Sequence, residues 1–195
     1  MRTPSTAVLS LLEYRMRAVA IGHLALRYSS KWEEVPSIEI IFDGKQVVEG
    51  RATAFTNGAI EAAIIHSRAL LEFLGLGANE KYKLKELAKV RQNDDVGIEN
   101  FGVLAKLSVK DAVTSFSGSS NEAENALAYV IYLANKGLAH TTSSFSAHDE
   151  GSRLLDIAFR EVPILVINSF YMPLCIEPPK YELQSRKNTA INHLK

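Results

Sequence analysis

The sequence predicts a mainly α-helical bundle with one small β excursion near residues 38–50. Over most of the chain, apolar residues recur three and four positions apart, which is the spacing of one helix face. Only the segment IEIIFDGKQVVEG changes to two β-prone runs. The length of 195 residues is typical of a single domain that buries a core.

The N-terminal part predicts a long helix followed by the β excursion. The helix covers residues 6–28, and its apolar side carries Val8, Leu12, Val19 and Leu26. After it, Asp43-Gly44 is the dipeptide that a type I′ turn prefers, because both central residues need a positive φ. We expect a short hairpin or extended excursion here, which must pack on helices because two strands alone are not stable.

Helical spacing returns over residues 57–77. Asn57 is the expected N-cap, and Gly75 is a C-terminal stop signal. The charged segment 80–90 predicts a shorter helix. The stretch RQNDDVGIENFG is typical of a loop, whereas LAKLSVKDAVTSF fits no single element.

Two capping boxes begin the remaining helices. Ser119 with Glu122 predicts a helix that runs to about residue 138, and Ser146 with Asp149 predicts another. In a capping box the hydroxyl and the carboxylate each satisfy a backbone N–H that has no partner in the helix.

The last helix is expected to end at about Met172 and to bend at Pro163, whose ring displaces a backbone carbonyl one turn earlier. Helices 58–75, 121–138 and 147–172 should pack against one another. We therefore predict a single helical domain over 1–175 and a loosely attached C-terminal tail over 176–195.

Composition excludes several classes of function. Lys and Arg number 22, as do Asp and Glu, so the formal net charge is zero and no strongly basic field indicates nucleic-acid binding, although a local basic patch remains open. Cys175 is the single cysteine, no zinc-ligand spacing occurs, and we expect neither metal nor cofactor. Asp156, Arg160 and Glu161 interrupt the apolar stretch 154–174, so we expect no membrane span and a cytoplasmic location.

The segment ANKGLAHTT contains the histidine with the most informative neighbours. Histidine titrates near neutral pH and suits proton transfer. Lys136 and His140 are four positions apart and share a helix face, and unwinding at Gly137 would bring Asn135 toward the histidine. The alternative is that His140 packs at a helix end and interacts with its carbonyl groups.

Three further residues are candidates for ligand binding. Asp94-Asp95 could bind a cation only where other oxygens converge, and the pair is more typical of an exposed turn. Arg68 precedes Glu72 by four positions, which predicts a surface ion pair. If they lined one pocket, Arg68, Asp94 and Asp95 could hold a small ligand or a nucleotide.

Three segments occur in the order HSRALLEFL, RQNDDVGIENF and NKGLAHTT, over roughly residues 57–145. Together they resemble HEPN-domain proteins, and more closely a family of bacterial helical proteins without an assigned activity. The resemblance implies an up-and-down bundle of four or five helices and frequent dimerisation. In active HEPN members, an Arg and a His from two protomers cleave RNA without a metal ion.

Carried over to this chain, the motif histidine falls on His140, and Asn135 stands where the motif has arginine. Asparagine lacks the planar, positively charged guanidinium group with which arginine stabilises a developing phosphate charge. Lys136 or Arg68 could supply a cation, but neither occupies the motif position.

Three functions follow from these residues. The first is a weak or inactive HEPN-like bundle that acts by self-association or partner binding, as a homodimer formed through its helical surface. The second is a metal-independent endoribonuclease of the toxin or defence type that uses His140, although the net charge does not favour RNA as a partner. The third is a helical protein that binds a small ligand or nucleotide.

Overall fold

The computed structural model describes residues 3–88, 95–137 and 149–182, and within them the chain is mainly α-helical with small antiparallel hairpins. The predicted fold class is confirmed. The elements, in chain order, are α1 (Thr6–Ser29), β1 (Ser37–Phe42), β2 (Lys45–Arg51), α2 (Thr53–Leu74), β3 (Leu76–Ala78), β4 (Leu84–Glu86), α3 (Val109–Thr114), α4 (Ser120–Tyr132) and α5 (Asp149–Val166).

The core lies where the long helices meet. Helix α2 packs against α1, α4 and α5, and α5 also packs against α1 and α4. Leu71 on α2, Ile131 on α4 and Phe159 on α5 are at most 3% exposed. The predicted mutual packing of these helices is confirmed over the described parts of each.

Helices α1 and α2 approach closely because Gly22 has no side chain. A Cβ placed on Gly22 would overlap the methyl group of Ala63 and would lie 2.7 Å from the carbonyl oxygen of Ala59. Glycine is therefore needed at this crossing, even though it is a poor helix former.

Helix α2 begins at Thr53, and the predicted N-cap Asn57 was wrong. The N–H of Ala52 donates to the carbonyl of Pro36 at 2.9 Å, so the chain passes directly from the base of the hairpin into the helix. The predicted stop is confirmed, because Gly75 caps α2 with a φ of 91°.

The helix predicted over residues 80–90 was wrong, because part of this segment forms β4 and pairs with β3. The side-chain oxygen of Asn79 accepts hydrogen bonds from the N–H groups of Lys81 and Lys83, at 2.9 and 3.0 Å. This side chain holds a turn. The hairpin then buries Leu84 against the core, which an isolated charged helix would not achieve.

The predicted capping box at Ser119 does not form, although α4 does begin there. The Ser119 side chain makes no capping hydrogen bond, and the carboxylate of Glu122 instead contacts Arg153 on α5. Helix α4 ends at Tyr132 and continues as a π-helical turn, Leu133–Gly137. The predicted end near residue 138 lies at the limit of the described residues.

Helix α5 contains Pro163, as predicted, and is followed by a second π-helical turn, Ile167–Tyr171. The predicted bend at Pro163 stays a prediction, and Ser146 lies outside the described residues. Beyond the turn, Ile176 and Tyr181 pack against the core, so this part of the segment assigned to the tail is in contact with the bundle.

Strands β1 and β2 form the predicted hairpin. Asp43 and Gly44 both have positive φ, 49° and 76°, as a type I′ turn requires. The register shifts between Ile40 and Ile41, so Val47 forms a β-bulge. In the part of the chain that the structure describes, no helix is long and apolar enough to cross a membrane.

Candidate functional site

Two residues of the predicted His140 cluster lie on the surface. Asn135 and Lys136 are exposed in the π-helical turn that follows α4. Arg68 lies on α2, where its guanidinium is 3.9 Å from the carboxylate of Glu72, as predicted. No hydrogen bond or ion pair joins Arg68 to Asn135 or Lys136 within the described ranges. The structure therefore does not bring these three together.

His140 and Asp94 lie outside the described residues, so the predicted role of His140 and the predicted pocket of Arg68, Asp94 and Asp95 stay predictions. Asp95 lines a cavity of about 280 Å³ between α1 and α2, together with Arg15 on α1. Arg68 is not among the residues that line this cavity.

A half-buried imidazole lies between α1 and α2. The guanidinium of Arg15 is 3.2 Å from Nδ1 of His66, and because a guanidinium can only donate, this nitrogen must be an unprotonated acceptor. Burial, and then the charge of Arg15, lower the pKa of His66 below its ordinary value of 6.5. The ring also meets Tyr14 edge-on at 5.1 Å. His66 is thus held neutral near pH 7.

A second cavity, of about 300 Å³, lies between α1 and α5. It has an apolar part and a polar part, which suits a small ligand with both characters. The apolar part consists of Ala20, Leu24, Phe159 and Ile164. The polar part consists of His23, Arg27, Arg160, Tyr181 and Glu182.

The polar part is organised around an imidazole–carboxylate pair. Nε2 of His23 is 2.8 Å from Oδ1 of Asp156, so the ring N–H donates to the carboxylate and its orientation is fixed. The other carboxylate oxygen is 3.8 Å from the guanidinium of Arg160, which also donates to Glu161 at 3.0 Å. The guanidinium lies 5.9 Å from the centre of the Phe116 ring.

The remaining cation at this cavity is exposed. Arg27 lies one helical turn beyond His23 on α1, and its guanidinium makes no hydrogen bond or ion pair with another described residue. Burial, followed by the charges of Glu182 and Glu161, raises the pKa of Tyr181, so its hydroxyl stays a donor at neutral pH. Guanidinium, imidazole and phenol groups beside an apolar wall can bind a small anion that has an apolar body.

The sequence did not predict a site from the residues that line this α1–α5 cavity. His23 and Arg27 are four positions apart, as are Asp156 and Arg160, so each pair shares a helix face. Nothing local joins the two pairs, because His23 and Asp156 are 133 positions apart. Only the packing of α1 on α5 brings them together.

The β1–β2 hairpin presents a second candidate surface. Ile41, Phe42, Val47 and Val48 are exposed by 57%, 65%, 49% and 46%. We call these four residues the hairpin patch, in which alternation along the strands places Phe42 and Val48 on one face and Ile41 on the other. Clusters of exposed apolar side chains mark interaction sites in soluble domains.

Among residues 3–88, 95–137 and 149–182, the His, Cys, Asp and Glu side chains form no group of three or more that could hold a metal ion. Comparison of the chain with protein-family models, with curated proteins and with solved structures finds no match.

Proposed function

We propose that this protein acts by association, as a helical bundle that binds through the hairpin patch. The observation that carries the proposal is the exposure of large apolar side chains on a hairpin. A two-stranded hairpin is only marginally stable by itself. In this hairpin large Ile, Phe and Val side chains are also exposed to water, which is unfavourable. Binding would remove this apolar surface from water and stabilise the hairpin together with its partner.

The chemistry at the end of α4 supports association more than catalysis. Asn135 occupies the position of the motif arginine, Arg68 is engaged with Glu72, and Lys136 forms no ion pair with an acid among the described residues. The HEPN resemblance adds dimerisation as an expectation. Together these observations favour a binding role.

The experiment is light scattering over a wide concentration range. We expect the wild type to dimerise. We expect Phe42→Ser combined with Val48→Ser to shift dissociation to higher concentration by about tenfold or more, because the hairpin then offers less apolar surface for burial on association. Ile65→Ser, at an exposed apolar site on α2, is the matched control and should leave the mass unchanged.

Other outcomes decide against the proposal. A strictly monomeric wild type would remove self-association, and a dimer disrupted only by Ile65→Ser would place the interface on the helices. Purified protein that cleaves RNA in EDTA, together with a folded but inactive His140→Ala variant, would favour the ribonuclease instead.

The α1–α5 cavity favours a second function, the binding of a small amphipathic anion. The probe is anilinonaphthalene sulfonate, whose sulfonate suits Arg27 and whose rings suit the apolar wall. Arg27→Gln should weaken its binding by about tenfold, as expected for losing one charged hydrogen bond. Arg17→Gln is the matched control, since Arg17 lies on the same helix and is paired with Glu13 at 2.6 Å. Equal affinities of the two variants would contradict this site.

A further inference from the structure

One edge of β1 is hydrogen-bonded to β2, and its other edge pairs with no strand among the described residues. Phe42 pairs with Lys45 across the turn, and at the other end the carbonyl of Pro36 accepts from the N–H of Ala52. Since hydrogen-bonding direction alternates along a strand, residues 36, 38, 40 and 42 direct their polar groups to β2. Ser37, Glu39 and Ile41 therefore direct their N–H and C=O groups away from β2.

The two outer edges of this hairpin differ in regularity. On β2 the bulge at Val47 interrupts the spacing of the outward N–H and C=O groups, which is a common device against strand addition. On β1 no extra residue occurs between Ser37 and Phe42. In the described ranges no other strand pairs with β1. The free edge of β1 is thus the one able to accept another strand.

We propose that this edge binds a second copy of the chain, with the two β1 strands antiparallel about a two-fold axis through Ile40. The result is a four-stranded sheet in the order β2, β1, then β1 and β2 of the partner subunit. This inference rests on the proposed function, because it assigns a partner and a register to association at the hairpin.

Repulsion between acidic side chains disfavours the two neighbouring registers, whose axes pass through Glu39 and Ile41. An axis through Glu39 would set two Glu39 carboxylates directly opposite each other. An axis through Ile41 would set Glu39 opposite Asp43 of the partner subunit. Both arrangements place like charges face to face, which destabilises a sheet. With the axis through Ile40, Glu39 lies opposite Ile41 of the partner subunit and no like charges on β1 are paired. Registers centred further away pair fewer residues.

The apolar residues of β1 are also self-complementary in this register. Ile38, Ile40 and Phe42 share one face of the strand, because side chains alternate. The two-fold axis places Ile40 opposite its own copy, and it places Ile38 opposite Phe42 of the partner subunit on both sides. A continuous apolar face then runs across both protomers and covers Phe42, which is 65% exposed in the single chain.

A pair of substitutions at Ile41 tests the register. Ile41→Glu would face Glu39 of the partner subunit twice in each dimer, whereas Ile41→Lys would face it with opposite charge. Because both variants lose the same apolar side chain at a site that is 57% exposed, they are matched. At low salt we expect the dissociation constant of Ile41→Glu to exceed that of Ile41→Lys by about tenfold or more.

A disulfide provides a geometric test in a Cys175→Ser background, which removes the exposed native thiol. Facing residues of a non-hydrogen-bonded pair have Cα atoms roughly 4.5 Å apart, within the range of a disulfide. Ile40→Cys should therefore form a covalent dimer on oxidation. Val48→Cys is the control, because its copy would lie three strand spacings away, roughly 14 Å.

These experiments separate the two levels of the proposal. If Phe42→Ser with Val48→Ser leaves the mass unchanged, association at the hairpin is wrong. If that variant weakens the dimer but Ile41→Glu and Ile41→Lys have equal dissociation constants, the register is wrong while the proposed function stands. Cross-linking of Val48→Cys as efficient as that of Ile40→Cys would also overturn the register.

Discussion

Two histidines of α1 and α2 have partners of opposite charge. His23 donates to the carboxylate of Asp156, whereas His66 accepts from the guanidinium of Arg15. A guanidinium partner opposes protonation of the imidazole. The surroundings of His66 therefore favour the neutral form of its imidazole ring.

This contact predicts a loss of stability in weak acid. The pKa of His66 is lowered in the folded protein by burial and by Arg15. As the pH falls through 6.5, the unfolded chain takes up the proton first, so the contribution of His66 is present above that value and is lost below it.

We expect His66→Gln to lose less free energy of unfolding than the wild type between about pH 8 and pH 5. Glutamine can still accept from Arg15 but does not titrate. Urea denaturation at each pH measures the effect, and His23→Gln serves as the control because it keeps the His66 contact. Equal losses in wild type and His66→Gln would show that His66 is not the titrating group.

At the scale of elements, the crossing of α1 and α2 depends on one glycine. Two glycines in helices of this bundle allow a matched test. A methyl group added at Gly22 would meet Ala63, whereas one added at Gly58 would have no atom within 4 Å. The same substitution should therefore have opposite effects at the two sites.

Gly22→Ala should lower the free energy of unfolding by ~1–3 kcal/mol, because the added methyl overpacks the helix contact. Gly58→Ala should raise it by ~0.5–1 kcal/mol through helix propensity. Chemical denaturation of both variants measures the difference. A stabilised Gly22→Ala variant would mean that α1 and α2 cross at another point.

The element-scale errors in the sequence interpretation have a common cause. Segment 80–90 has helix-forming residues, yet the Asn79 turn and the burial of Leu84 make it a hairpin. The capping box at Ser119 fails because Glu122 contacts Arg153, a residue of another helix. The burial of Leu84 and the contact between Glu122 and Arg153 are tertiary, and each outweighs a local preference of roughly 0.5–2 kcal/mol.

At the scale of the molecule, the helices share one core, so a cavity in any of them should destabilise the whole domain. Ile131 on α4 is 3% exposed. Ile131→Ala should cost ~2–5 kcal/mol of unfolding free energy. Val103→Ala, at a site that is 83% exposed, should change it by no more than ~0.5 kcal/mol. Urea denaturation compares the two, and a cost below that limit for Ile131→Ala would mean that this face of α4 does not pack in the core.

Local sequence is sufficient to predict the helical class, the apolar faces of the long helices, the type I′ turn at Asp43-Gly44 and the stop at Gly75. These features depend on backbone preferences and spacings within a few residues, so they can be inferred locally. The Arg68–Glu72 pair belongs to the same group, because one helical turn joins its members.

Only the tertiary structure decided where α2 begins, that segment 80–90 contributes a strand, that His23 meets Asp156, and that the outer edge of β1 is free. The strand in segment 80–90 depends on the burial of Leu84 in the core, and the other three features depend on residues far apart in the chain. No local sequence pattern links His23 to Asp156, because they are 133 positions apart. Whether an edge of β1 is paired can be seen only when the neighbouring described elements are in place. Local backbone preferences therefore account for most of the helices and strands, whereas the candidate sites form only where those elements pack against one another.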